Sequence, residues 1–325
     1  MHTYRGMPPR TALLTRLIDT ARRPPVDEMS LADIRWARTV LHPRRRPFTW
    51  LLGELDPTLV VGAATALARD GASIPLRTYR PADRTGPLPV VVWLHGGGWV
   101  LGNVVNYDPI CSDLATTVDA LVVSVDYRLA PEHRAPTAAL DAIDATRWVV
   151  EHAAGLGADP DRIAVAGDSA GGNLAALVAQ AFRDEQAPNV RAQVLIYPAV
   201  DMTKSAPSLQ QHPNGGILTA AAIDAFLDHY LGDEVDPLDP LVSPLFGDLT
   251  GLAPALIQTA DLDPIRDDGS RYAAALTAAG SSAHWTNYRG VPHGFASFPG
   301  ASPAGAAQRR EMTAFLLHHL RPSVG

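Results

Sequence analysis

The pentapeptide Gly167-Asp168-Ser169-Ala170-Gly171 is the one G-x-S-x-G in the chain. It follows the apolar run 163–166 and precedes the apolar stretch 174–178, an order that predicts a strand, a sharp turn with serine at its apex, and a helix. A serine becomes a nucleophile in such a turn because flanking glycines let strand and helix approach closely while the strained backbone pushes Oγ into the open. The competing reading is an ordinary tight turn. Strand before and helix after favour chemistry, and the chain must then supply the serine's partners.

His95-Gly96-Gly97-Gly98-Trp99 leaves the apolar run 90–94. Consecutive glycines cost backbone entropy, and they turn N–H groups toward a ligand without a Cβ in the way. In acyl transfer that ligand is the negative oxygen of a tetrahedral intermediate, stabilised by donors fixed in advance. Gly97, Gly98 and the amide of Ala170 are the candidate donors. A phosphate loop is disfavoured, because the spacing matches neither G-x-G-x-x-G nor G-x-x-x-x-G-K-[ST]. Among eleven histidines, His293 in Val291-Pro292-His293-Gly294-Phe295 occupies a loop between the last predicted strand and a terminal helix, from which an imidazole can reach Ser169. His318 and His319, His284, and His152 and His229 fall on helices or in a strand, where a packed or solvated ring is the ordinary case. An acid must orient that imidazole and stabilise its charged form. Asp261, Asp263, Asp267 and Asp268 all follow the run 255–259, and most carboxylates in such a cluster are expected to be solvated. Asp263 precedes Pro264 and is biased toward extended backbone, whereas Asp267 and Asp268 suit the first turn of a helix. Spacing does not separate Asp263 from Asp261. The order Ser, Asp, His is that of α/β-hydrolases.

The elements that must position these residues can also be read. Leu13, Leu14, Leu17 and Ile18 recur at helical spacing, and Ser30-Leu31-Ala32-Asp33 resembles a capping box opening a second helix through Val40, so two amphipathic helices precede the first strands. Ile74, Leu76 and Thr78 then alternate, and the runs 90–94, 121–125, 163–166, 194–197, 255–259 and 284–288 alternate with helical stretches near 138–150, 174–182, 220–230 and 272–279. Strands alternating with helices predict a mostly parallel central sheet flanked by helices, an α/β fold whose chemistry sits at strand exits. The segment 198–218, proline-rich and aperiodic, reads as an excursion that could help form a lid. A terminal helix over 303–320 has Ser302 as its cap and Pro303 at its first position.

Four blocks, His95-Gly96-Gly97-Gly98-Trp99, Asp126-Tyr127-Arg128-Leu129-Ala130-Pro131-Glu132, Gly167-Asp168-Ser169-Ala170-Gly171-Gly172-Asn173, and Asp263-Pro264-Ile265-Arg266-Asp267 with the later His293-Gly294-Phe295, resemble those of the hormone-sensitive-lipase-like carboxylesterases, the bacterial lipolytic family IV. The likeness runs from about Leu76 to the C-terminal helix. It implies an α/β-hydrolase fold and selects Asp263 over Asp261 as the acid of a triad with Ser169 and His293. It puts the oxyanion donors at Gly97, Gly98 and Ala170, with His95, Gly96, Asp168 and Glu132 as supports. It also implies a cap built from residues 1–50 and 198–231 over a catalytic domain of residues 51–325. No catalytic position departs from the family pattern; the divergence lies in the N-terminal region and in 202–211. Short to medium acyl esters are the implied substrates, with an edge-strand homodimer or a monomer as the implied state. The alternatives are an amidase or deacetylase for a specific metabolite, or a non-catalytic receptor on the same fold.

Composition narrows the partners. The chain has 325 residues, 46% hydrophobic and 19% charged, enough for a sizeable core. A net charge of −7 argues against nucleic acid and anionic surfaces as partners. The Arg44-Arg45-Arg46 run is read as an exposed basic turn without function. Cys111, the single cysteine, is expected to be a small buried hydrophobe in a reducing compartment. No apolar stretch is long enough to span a bilayer, and residues 1–10 lack the apolar core of a signal peptide, so a cytoplasmic location is the expectation. Neither a metal nor an organic cofactor is expected.

Overall fold

A computed structural model describes residues 6–21, 24–184 and 190–322. Met1–Arg5, half of the stretch read for a signal peptide, lie outside the described residues. The elements run α1 (Pro9–Ala21), α2 (Leu31–Thr39), α3 (Phe48–Leu52), β1 (Leu59–Leu67), β2 (Ser73–Pro81), β3 (Leu88–Leu94), α4 (Asp108–Val118), β4 (Leu121–Val125), α5 (Thr137–Glu151), β5 (Ala158–Asp168), α6 (Ala170–Asp184), β6 (Val190–Ile196), α7 (Ser208–Gln211), α8 (Ala220–Tyr230), β7 (Ala255–Leu262), α9 (Arg266–Ala278), β8 (Ala283–Pro292) and α10 (Pro303–His319). One eight-stranded sheet has the order β1-β2-β4-β3-β5-β6-β7-β8. The β1–β2 and β2–β4 pairs are antiparallel, and from β4 to β8 the pairing is parallel.

β3 and β4 are buried along their whole length, as strands covered on both faces must be. Side chains alternate between two cores. Val90, Val92 and Leu94 belong to the core shared with α5, α6 and α9, while Val91 and Trp93 belong to the one shared with α4 and α10. The chain leaves β3 for β4 on one side and arrives at β5 on the other. The order therefore reverses between β3 and β5, and open parallel sheets bind their ligands in the crevice at the carboxyl ends of such a pair. Leu94 is the register partner of Gly167, so His95 and Ser169 emerge side by side.

The predicted helices near 138–150, 174–182, 220–230 and 272–279 correspond to α5, α6, α8 and α9. The capping box is present: the Ser30 amide donates to Asp33 Oδ2 at 2.9 Å, and the Asp33 amide to Ser30 Oγ at 3.2 Å. In α1 the helix forms, but the side chains buried on it are threonines, with Leu14 half-buried and the Ile18 side chain outside the described residues. Leu13 and Leu17 are exposed, while Thr11 and Thr15 are buried; Thr11 Oγ1 donates to the Ala301 carbonyl, and Thr15 Oγ1 back-bonds to Thr11. The smaller threonine also lets α1 approach Gly216, where an added Cβ would meet the Thr15 methyl at 2.6 Å. Four elements, α3, β1, α4 and α7, were not read from the sequence. β1 is an antiparallel edge strand with little full burial.

The basic run is not wholly without a role, because Arg44 Nη2 donates to Asp108 at 2.7 Å. Asp108, buried in the first turn of α4, also accepts from Arg77 Nε at 2.7 Å and from the buried Tyr79 hydroxyl at 2.6 Å. One carboxylate thus ties the N-terminal segment, β2 and α4 together. Asp108→Ala should cost about 2–4 kcal/mol of unfolding free energy, since it strands a buried hydroxyl and a half-buried guanidinium, whereas Arg44→Ala, at an exposed partner, should cost under about 1 kcal/mol. Urea unfolding of the two variants checks this, and equal effects would show that the carboxylate is not the hub.

Candidate active site

Ser169 sits between β5 and α6 with φ of +56°, a left-handed conformation that a non-glycine residue adopts only when its surroundings enforce it. Its amide donates to the Ile196 carbonyl at 2.8 Å, and its carbonyl accepts from Asn173 at 3.1 Å. A Cβ on Gly171 would lie 1.9 Å from the Leu94 carbonyl oxygen, and one on Gly167 2.3 Å from that of Gly171. Both glycines are steric requirements of the turn.

His293, in the loop after β8, bridges two of the residues named from the sequence. Its Nε2 lies 2.9 Å from Ser169 Oγ, and its Nδ1 lies 2.7 Å from Asp263 Oδ2. A carboxylate only accepts, so Nδ1 carries the proton and Nε2 is left to accept from the serine hydroxyl. Asp263 is fully buried, and its Oδ1 accepts from the Ile265 amide at 3.0 Å. Asp261 lies elsewhere, accepting from Asn287 and from the Gly290 amide, each at 3.3 Å. Asp267 accepts from the Ser208 amide. Asp268 departs from the expectation of a solvated carboxylate: it is buried, with its carboxyl held well above the usual range by desolvation and then by the nearby Asp201 charge, and it accepts from the amides of Val200 and Asp201. It anchors the chain as it leaves β6.

The glycines after β3 take left-handed backbone, with φ of +124° at Gly97 and +62° at Gly98. A Cβ at Gly97 would strike the Leu101 carbonyl oxygen at 2.2 Å, and one at Gly98 the Phe226 ring at 2.4 Å. Among the described residues neither glycine N–H finds a backbone acceptor, and the N–H of Ala170, first residue of α6, is one of a helix's unpaired terminal donors. His95 is buried and neutral. Burial takes it down to about 4, its Nδ1–H donates to the Gly96 carbonyl at 2.8 Å, and its ring stacks on Tyr127 with centroids 4.4 Å apart. Glu132 accepts from Arg35 and Arg38 of α2; partial burial raises its carboxyl, but the two guanidiniums prevail and hold it at about 2.

Asp168 faces the same space. Its Oδ1 accepts from the Gly96 amide at 2.9 Å, and its Oδ2 from the Tyr107 hydroxyl at 3.2 Å. Sequence reasoning missed Tyr107, which lies on a short turn entering the unpredicted α4. The signal was there, in Asp108-Pro109 followed by Ile110, Leu114 and Val118 at helical spacing. A cavity of about 440 Å³ is lined by Ser169, His293, Gly97 and Gly98, and also by the N-terminal segment (Val26, Met29) and α8 (Ile223, Phe226). No group of histidine, cysteine or carboxylate side chains among the described residues is arranged to hold a metal ion.

Residues 91–297 match the family of the α/β-hydrolase fold. The chain belongs to that family. The carboxylesterase NlhH of Mycobacterium tuberculosis is 43% identical over 299 residues, which cover 90% of this chain and 91% of that protein. An ethyl acetate hydrolase of Pseudomonas putida is 40% identical over 251 residues, 75% of this chain and 78% of that one. A thermostable esterase of Pseudomonas putida, solved as a crystal structure, superposes with a TM-score of 0.87 at 34% identity, covering 98% of this chain and 99% of that one. The hormone-sensitive-lipase-like resemblance carried by the motifs thus extends across this hydrolase.

Burial raises the Asp168 carboxyl to about 6, against the lowering effects of the Gly96 amide, the His293 charge and the Tyr107 hydroxyl. An unfolded aspartate titrates near 3.9, so the folded chain holds this proton more tightly. The resulting stability is fully present below about pH 4 and is lost as pH rises through about 6, in total about 3 kcal/mol. Asp168→Asn removes the titration. The unfolding free energy of wild type relative to Asp168→Asn should therefore decline between pH 4 and 7, and a flat difference would refute the assignment.

Proposed function

We propose that this carboxylic ester hydrolase works through Ser169, His293 and Asp263 as a catalytic triad on short to medium acyl esters, held under a cap formed by residues 1–50 and 198–231. The observation that carries the reading is the line of hydrogen-bond distances from Ser169 Oγ through the His293 ring to Asp263, opening into an otherwise largely apolar cavity. Ser169 Oγ attacks the ester carbonyl as Nε2 of His293 takes its proton, and the negative oxygen that forms is received by the amides of Gly97, Gly98 and Ala170. His293 then gives the proton to the departing alkoxide, leaving an acyl-serine. Water enters, loses its proton to the same nitrogen, and attacks the acyl carbonyl; collapse of the second tetrahedral intermediate returns the proton to Oγ and releases the acid. Asp263 keeps the ring in its tautomer and offsets its positive charge in each half-reaction. The apolar walls favour acyl chains, and the ethyl acetate hydrolase among the relatives supports small esters as substrates. Cytoplasmic action is part of this proposal, in keeping with one buried, unpaired cysteine. Among the described residues no helix is long and apolar enough to cross a membrane.

Ser169→Ala should lower turnover of a p-nitrophenyl ester by roughly 10⁴- to 10⁶-fold, and Asp263→Asn by about 10⁴-fold through the wrong tautomer, while Asp261→Asn should have a small effect. A fluorophosphonate probe should label Ser169 in the folded protein; an unlabelled serine defeats the mechanism. A p-nitrophenyl acyl series run beside the matching anilides should show esters turned over far faster, and faster anilides would favour the amidase alternative.

A further inference from the structure

The charged groups that line the cavity nearly all make direct contacts of hydrogen-bond length. Asp168 and Asp268 accept backbone amides, Asp201 is paired with Arg271 at 2.6 Å, and Lys204 is paired with Asp224. Arg309, which reaches the same cavity from α10, is the exception. Its side chain is 13% exposed, and its single counter-charge among the described residues is Asp113 of α4, with Nη1 to Oδ2 at 3.6 Å, past hydrogen-bond distance. Its Nε is buried with no acceptor. Asp113 does not line the cavity. A guanidinium cannot relieve this by losing its proton, and leaving a buried donor unmade in a low-dielectric wall is costly. Desolvation also weakens its hold on its proton, with Asp113 the largest opposing influence.

We infer that Arg309 is an anion subsite of the substrate cavity, which receives a carboxylate carried by the ester substrate on its acid or its alcohol half. The fork of a guanidinium matches two carboxylate oxygens, and a pair formed away from water is stronger than an exposed one. The substrates favoured by this arrangement are half-esters of dicarboxylic acids, or esters of hydroxy acids, alongside neutral esters of equal length. Turnover of such substrates rests on the esterase reading above, whereas binding of the anion does not.

The test compares kcat/KM for p-nitrophenyl hemiglutarate with that for p-nitrophenyl pentanoate, and for the butyryl ester of glycolic acid with ethyl butyrate, in wild type, Arg309→Met and Asp113→Asn. Arg309→Met should lower the anionic-to-neutral ratio by about 10- to 100-fold, the value of a charge-assisted hydrogen bond, and Asp113→Asn should raise it by freeing the guanidinium. The arm that responds identifies the half of the ester that carries the charge. A purely structural Arg309–Asp113 contact would move both variants in the same direction or leave the ratio unchanged, and either result overturns the subsite. Should Arg309→Met fail to fold, glutarate against glutaramide as competitive inhibitors of pentanoate ester hydrolysis by wild type decides the matter, with equal inhibition overturning the inference. Calorimetric titration of glutarate into wild type and Arg309→Lys keeps the two proposals separate: weaker binding by the variant supports the subsite even if no ester is turned over, and no binding to wild type refutes it.

Discussion

The turn at Ser169 is the constraint on which the rest of the site depends. Holding a non-glycine residue in left-handed backbone costs on the order of 1–3 kcal/mol, and it persists because β3, β5 and α6 meet backbone to backbone, with no room for a Cβ at Gly167 or Gly171. That contact fixes two other things at once. The exit of β3 lies against the start of α6, which brings the amides of Gly97 and Gly98 to the serine's side. The Ser169 amide is meanwhile tied to Ile196 at the end of β6, so the chain that leaves β6 toward the cavity starts from the same fixed point.

The residues proposed to bear the chemistry were legible because each carries a local steric or positional signature. Glycines at 97, 98, 167 and 171 answer to contacts that a side chain would prevent, and such demands leave a pattern that needs no knowledge of the fold. The proposed acid was different. Asp261 and Asp263 are equivalent by spacing, and the motif resemblance, not the pattern of residues, favoured the one that meets His293. The fold was legible where burial is complete, as in β3 and β4. It was illegible at β1, whose exposure dilutes the alternation, and in α1 the helix was legible but not its buried face, where threonine hydroxyls satisfied by carbonyls let polar side chains turn inward while Leu13 and Leu17 remain outside. Asp268 and Arg309 escaped for a shared reason. A charged residue on a helix reads as solvated until the tertiary structure shows what covers it.

Two carboxylates compete for influence over one imidazole in this cavity, and their environments separate their tasks. Asp263 makes the direct contact with Nδ1 and is fully buried beside it. Asp168 does not touch the ring; its oxygens are engaged by the Gly96 amide and the Tyr107 hydroxyl, and burial lifts it to about 6. Above that pH Asp168 is ionised, and its charge adds to the attraction of an imidazolium forming at His293 in a medium that screens it weakly. Below it, Asp168 becomes neutral while the contact with Asp263 persists. The oriented carboxylate thus sets the tautomer, and the indirect one adds a field that falls away with acid. Because Asp168 also holds the amide of Gly96, the residue before the two proposed oxyanion donors, its ionisation links the charge at the proposed base to the position of the loop opposite. The residue between the first glycine and the serine of the G-x-S-x-G turn is therefore as much a part of the site's electrostatics as of its geometry.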